Sequence, residues 1–174
     1  VSVEHEVSVI SAVQAMQALD KEKYDIIPIY ITKDRQWYTG EILKDMETYT
    51  DMDLLKRYTS NVSLINKKGK FYLQSKGLFK HIVTELDLIL PVCHGTNMED
   101  GTLQGYLQTV GIPYCESDVA SSSVAQDKVT QKLVFQSKNL PMTAFTWFYD
   151  TDYSETPEEI LKECAKLKYP LIVK

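Results

Sequence analysis

The residues best suited to chemistry gather in His94-Gly95-Thr96-Asn97-Met98-Glu99-Asp100-Gly101-Thr102-Leu103-Gln104-Gly105. An imidazole ends an apolar run, two carboxylates follow, and glycines permit close backbone approach ahead of an expected helix start. That set suits acid–base or anion-binding work. It equally suits a tight turn in which His94 ends a strand and Glu99 and Asp100 decorate a helix N-terminus. A second candidate is Glu4-His5-Glu6-Val7-Ser8, in a first helical turn. A carboxylate there could receive a substrate ammonium while neighbouring N–H groups hold an anion, and surface acids that offset the helix dipole would look the same.

Two lysines complete the candidates. Lys128, in Gln126-Asp127-Lys128, reads as a solvated helix residue, whereas Lys174 follows Leu171-Ile172-Val173 and either snorkels or serves an anion such as phosphate. The serines Ser121-Ser122-Ser123 have no adjacent histidine and suit a helix cap better than a nucleophile. Cys93 reads as a small buried hydrophobe. No GxGxxG, P-loop or HExxH pattern occurs. By themselves these residues indicate an anion-binding α/β domain.

The elements that must position them follow from periodicity. Val7, Ile10, Val13, Met16 and Leu19 recur along an expected helix, with Ser2 as N-cap. Residues 24–31 read as a strand, 41–58 as helix or packed irregular chain, and 62–65 with 71–73 as a hairpin around Asn66-Lys67-Lys68-Gly69-Lys70. Leu86 to Cys93, apolar on both faces, is the strongest expected strand. A helix over 103–110 should stop at Gly111, followed by a short strand at 112–115 and a helix from Ser121 or Ser122 to about Lys138. A β-rich segment at 144–149, a helix begun by Thr156-Pro157-Glu158-Glu159 and a strand at 170–174 close the series. The alternation predicts an α/β layered fold with a largely parallel sheet, its ligand site outside the carboxyl ends of the strands.

Composition bounds the function. The 174 residues, 44% hydrophobic and 25% charged, can bury one sizeable core, as one domain or one domain plus part of another. With 19 Lys+Arg against 24 Asp+Glu the net charge is -5, which offers no basic field to a nucleic acid. Three cysteines without CxxC spacing fit a reducing, cytoplasmic setting. No apolar run approaches the roughly 20 residues that span a bilayer, and the start lacks the order of a signal peptide. Val1 in place of Met, and a strand-like Leu171-Ile172-Val173-Lys174, suggest that both ends fall inside longer elements.

Taken in order, Ser2-Val3-Glu4-His5-Glu6-Val7-Ser8-Val9-Ile10-Ser11-Ala12, Asp25-Ile26-Ile27-Pro28-Ile29 with Trp37-Tyr38, and His94-Gly95 with Glu99-Asp100-Gly101-Thr102-Leu103-Gln104-Gly105 resemble the D-alanine:D-alanine ligase family of ATP-grasp enzymes. Gly111-Ile112-Pro113-Tyr114, Asp127-Lys128 and Tyr169-Pro170-Leu171-Ile172-Val173-Lys174 extend the match. The resemblance implies a pre-ATP-grasp, substrate-side domain over 1–116, lacking its first strand, and the start of an ATP-grasp domain over 117–174. It implies ATP-driven joining of two D-alanine molecules through an acylphosphate, or a D-serine or D-lactate acceptor, in a cytoplasmic homodimer formed through the N-terminal domain.

By the same resemblance Glu6 holds the first ammonium, Ser8 belongs to its motif, His94 orients substrate or assists proton transfer, and Glu99 lies in the loop that supports His94 and is counted with the substrate-binding residues. Lys128 and Lys174 match the lysines on the ATP phosphates, and the Mg2+ ligands are expected beyond Lys174. Met98 and Glu116 stand where the family usually has glycine, Gln126 where it has methionine and Gln108 where it has glutamate, so a displaced loop is expected near Met98. A degenerate, non-catalytic binding domain is the alternative from another class; a Rossmann dinucleotide binder lacks the glycine fingerprint.

Overall fold

The computed structural model describes residues 2–173, so Val1 and the Lys174 position fall outside the described residues. Two compact units form, Val1–Gln126 and Asp127–Lys174. The first opens with helix α1 (His5–Ala18), followed by strands β1 (Ile29–Ile31) and β2 (Trp37–Thr39). Two short 3-10 turns at Glu41–Lys44 and Met46–Thr50 lead to α2 (Met52–Tyr58). Strands β3 (Ser60–Lys67), β4 (Lys70–Ser75) and β5 (Ile82–Leu86) come next, then α3 (Thr102–Val110) and α4 (Val119–Gln126).

The five strands lie in sequence order, and every neighbouring pair is antiparallel. This corrects the expectation of a largely parallel sheet. Parallel neighbours need a crossover of a dozen or more residues, and the β1–β2, β3–β4 and β4–β5 connections are too short for one, while the longer 40–59 connection, with its two 3-10 turns and α2, also returns the chain antiparallel. The β3–β4 hairpin is the clearest case. Lys67 pairs with Lys70 across the two-residue turn Lys68-Gly69, both at positive φ. The Asn66 side chain ties this turn to the end of α3, its Nδ2 donating to Val110 O at 2.8 Å.

The supposed strand 86–93 is also corrected. Only Leu86 belongs to β5, and beyond it one isolated parallel bridge joins Ile89 to Tyr114, which is all that becomes of the strand expected at 112–115. Leu88 and Leu90 are about half exposed, so the both-faces apolar run is not covered on both faces, and Pro91 cannot donate to a ladder. Likewise the 24–31 strand shrinks to 29–31.

The core forms where alternate residues of the sheet meet α3. Val62, Leu64, Leu73 and Leu86 point to one face and pack with Leu107 and Ile112, all buried. Trp37 meets Tyr106 edge-on with ring centroids 5.6 Å apart. A second cluster of Tyr30, Leu43 and Leu55 receives Val9 from α1. Helix α1 runs as expected, but its buried face differs: Val13 is buried while Val7 and Ile10 are about half exposed. Residues three apart drift by about 60° per step, so an every-third stripe cannot stay on one face. Its cap also differs, Ser2 Oγ accepting from the N–H of the N-cap residue Glu4 at 3.0 Å.

The second unit holds α5 (Lys128–Ser137), α6 (Asp150–Glu155) and α7 (Pro157–Ala165). Asp127 begins α5, its carboxylate accepting from Thr130 N at 2.6 Å, and this cap divides the expected 121–138 helix in two. Pro157 starts α7 as expected, although the Thr156 side chain makes no capping hydrogen bond. Segments 144–149 and 170–173 form no strand.

Replacing Leu107, fully buried between α3 and the sheet, with alanine should destabilise the first unit by about 2–5 kcal/mol in urea unfolding. Leu78→Ala, at a side chain 93% exposed, should change stability by less than about 0.5 kcal/mol. Equal effects would contradict this assignment of the core.

Candidate functional site

Helix α1 carries two faces. His5 lies on the sheet side, its ring edge-on to Tyr30 at 5.5 Å and its Nε2 3.1 Å from Ile31 O. Glu4, Ser8 and Ser11, spaced by four and three residues, form a polar stripe on another face. The 94–101 loop docks on that stripe. His94 N donates to Ser8 Oγ at 2.9 Å, while the Ser8 hydroxyl donates to Glu4 O at 3.0 Å. The His94 ring extends the contact, its Nε2 lying 2.9 Å from Ser11 Oγ and its Nδ1 3.5 Å from Glu99 Oε1. The second Glu99 oxygen accepts from Gly95 N at 2.6 Å.

Gly95 is buried at φ 77°, and a Cβ added there would collide with the Ser2 hydroxyl and the Glu4 carboxylate. The Glu4 side chain therefore lies directly against the loop backbone. Glycine is required twice over, by the left-handed conformation and by the close approach.

The rest of the loop is tied from within. Asp100 accepts from Asn97 N at 2.8 Å and Thr102 N at 3.0 Å. Burial pushes the Asp100 carboxyl up, but these hydrogen bonds outweigh it and leave it below the ordinary aspartate value. Gly101, at φ 91°, starts α3 so close to α4 that a Cβ would sit 2.7 Å from Val119 O, and Ser123 Oγ donates to Asp100 O at 2.8 Å. Gln104, buried in α3, donates from Nε2 to Met98 O at 2.8 Å and to the Glu116 carboxylate. Burial raises the Glu116 carboxyl above its ordinary value, and the Gln104 hydrogen bond partly offsets that rise.

Met98 sits at an ordinary negative φ, with the left-handed residue one position earlier, at Asn97. The methionine side chain thus imposes no backbone strain, and Glu116, in the other unusual position, is the partner of Gln104.

The structure brings Ser8, His94 and Glu99 together. It places Glu6 apart, exposed and ion-paired with Lys33. The Lys33 hydrogen bond holds the Glu6 carboxyl below its ordinary value. Lys128 is the first residue of α5 in the second unit, and Lys174 lies outside the described residues. Burial lifts the Cys93 thiol to about 12, which suits packing and not nucleophilic work. The cap of α4 comes from Asp118, which accepts from Ser121 N at 2.7 Å, in place of the expected serine. Among the described residues no group of three or more His, Cys, Asp and Glu side chains could hold a metal ion.

Glu4 and Ser11 are the residues that sequence reasoning did not single out. Their signal is the 4, 8, 11 spacing of polar groups, which falls on one side of a helix. Chemically, the cluster offers carboxylates and a hydrogen-bonded imidazole beside a helix N-terminus, a setting for an ammonium group and a neighbouring carboxylate.

Comparison with known proteins adds to this geometry. A family profile described as D-ala D-ala ligase N-terminus matches residues 1–117. A D-alanine–D-alanine ligase of Thermosipho melanesiensis is 40% identical over 174 residues, covering 99% of this chain and 46% of that protein. One from Thermosipho africanus is 41% identical over 175 residues, again covering 99% and 46%. Among solved structures, the D-alanine-D-alanine ligase of Coxiella burnetii superposes with a TM-score of 0.78 at 27% identity, over 95% of this chain and 46% of that one. The VanG D-Ala:D-Ser ligase of Enterococcus faecalis gives 0.71 at 29% identity, over 97% and 47%. The chain spans about half the length of these relatives.

Because Asp100 is held below its unfolded value of 3.8, its contribution to stability is present above that pH and lost as pH falls through the lower folded value. Asp100→Asn should therefore lower stability at neutral pH and flatten the acid limb of the stability curve below about pH 4. A parallel acid limb in wild type and variant would contradict the loop clamp.

Proposed function

Because this chain belongs to the D-alanine–D-alanine ligase N-terminus family, we propose that it is the substrate-side portion of an ATP-dependent enzyme that joins two D-alanine molecules into D-Ala-D-Ala for peptidoglycan precursors. In this reading residues 1–116 form the substrate-side domain and 117–174 open the ATP-grasp domain. The active species is a longer cytoplasmic polypeptide that dimerises through the N-terminal domain. ATP supplies the phosphoryl group that converts one D-alanine carboxylate into an acylphosphate, since a carboxylate is a poor acyl donor until its oxygen becomes a leaving group. Lys128 and Lys174 are the residues of this chain that would face the phosphates, and Mg2+ would be held by residues beyond 174. The described residues alone do not assemble a metal site.

What this chain's own residues do follows from the cluster. The observation that carries the reading is one loop seated along α1, with the buried Gly95 against the Glu4 carboxylate and the His94 ring against Ser11 about two turns further on. Glu4 receives the first ammonium. Glu6 is less suited to the role given to it by resemblance, because its carboxylate is spent on Lys33 in solvent. The N-terminus of α1 favours the substrate carboxylate, and His94, steadied by Glu99, orients it. A D-serine or D-lactate acceptor would leave this part of the site unchanged. The unstrained backbone at Met98 and the pairing of Glu116 with Gln104 support an active enzyme over a degenerate binding domain.

In the full-length protein, Glu4→Gln should raise the KM for D-alanine at least tenfold, since it removes the charge from an ammonium contact, while Glu6→Gln should change it less than about twofold. Steady-state ADP release with varied D-alanine reads both, and the reverse ranking would overturn the assignment.

A further inference from the structure

Both ring nitrogens of His94 are in contact. Nε2 lies 2.9 Å from Ser11 Oγ and Nδ1 3.5 Å from Glu99 Oε1. A carboxylate beside a ring nitrogen selects the proton on that nitrogen, because a lone pair turned toward a negative oxygen is repelled. The neutral ring therefore carries its hydrogen on Nδ1 and presents Nε2 as an acceptor. The only group set against Nε2 in the described hydrogen bonds is the Ser11 hydroxyl.

We propose that Ser11 is the positioning residue of His94, donating to Nε2 and so fixing the ring as the Nδ1–H tautomer in one orientation. Serines inside helices commonly return their hydroxyl to the carbonyl four residues back, as Ser8 does to Glu4. Ser11 instead reaches a residue 83 positions away in sequence. Together Ser8 and Ser11 hold His94 at both ends, Ser8 by its main-chain N–H and Ser11 by its ring. A hydroxyl also serves the charged ring, since its oxygen accepts from Nε2–H once the imidazole is doubly protonated. Any D-alanine that meets His94 therefore meets a ring whose tilt is set by α1, the same helix that carries Glu4. The catalytic consequence rests on the ligase reading, whereas the tautomer stands without it.

Histidine-selective 15N labelling of the full-length protein, with the His94 resonances identified as those lost in His94→Gln, tests the proposal on the neutral ring. Wild type should show a protonated Nδ1 and a hydrogen-bonded, unprotonated Nε2. Ser11→Ala, which suits a helix interior and should fold, should move the Nε2 resonance toward that of a free acceptor and mix the tautomers. It should lower kcat for dipeptide formation about three- to tenfold with little change in the KM for ATP. Ser11→Thr, which keeps the hydroxyl, should restore both. Ring resonances identical in wild type and Ser11→Ala, or a wild-type ring protonated on Nε2, would overturn the proposal. A ring shift in Ser11→Ala within a protein that forms no dipeptide even as wild type would uphold the positioning role and refute the ligase reading.

Discussion

A main-chain hydrogen bond joins the two halves of the site, the His94 N–H on the Ser8 hydroxyl, 2.9 Å long, beside the contact of the His94 ring with Ser11. It brings a loop that follows the sheet onto a helix that precedes it in sequence, and the contacts of the His94 ring and of Gly95 with that side of the site go with the docking. Once His94 is there, Gly95 must approach α1 without a side chain, and the Glu4 carboxylate is pinned against the loop backbone. Glu99 can then satisfy Gly95 N and face the ring with the same carboxylate. A neutral hydrogen bond contributes only about 0.5–1.5 kcal/mol. Its importance lies in what it aligns.

That alignment needs a rigid platform on each side. Helix α1 is held by Val9 and His5 against the tyrosine cluster at the start of the sheet, which fixes the direction of its polar stripe. The loop is held from the other side by α3, whose Gln104 grips Met98 and Glu116, and by α4, which accepts the tight turn at Gly101. Asp100 closes the loop internally. The site therefore lies between two anchored elements and belongs to neither, which is why its residues stand almost ninety positions apart.

Sequence periodicity recovered the helices at 5–18 and 102–110 and the β3–β4 hairpin, because these rest on local signals: helical spacing, a terminal glycine and a Lys-Gly turn. It misjudged the sheet, since apolar character at 86–93 reports burial but not strand pairing, and pairing is set by the partners available. In the site, His94 and Glu99 were legible as chemistry-bearing types beside glycines, and Ser8 as part of a polar first helical turn. The resemblance gave the ammonium role to Glu6, and periodicity could not separate it from Glu4, because two carboxylates on one helical turn differ only in which way the helix is rotated. Packing of Val9 and Val13 decides that rotation, sending Glu4 to the loop and leaving Glu6 with Lys33.

On the reading proposed above, the stripe of α1 and the 94–101 loop together form an amino-acid site. A crystal structure of the full-length protein with D-alanine bound tests it most directly. The ammonium should lie within about 2.7–3.2 Å of the Glu4 carboxylate, beside a His94 ring still seated on Ser11. D-alanine bound through Glu6, or away from the His94 loop altogether, would contradict it.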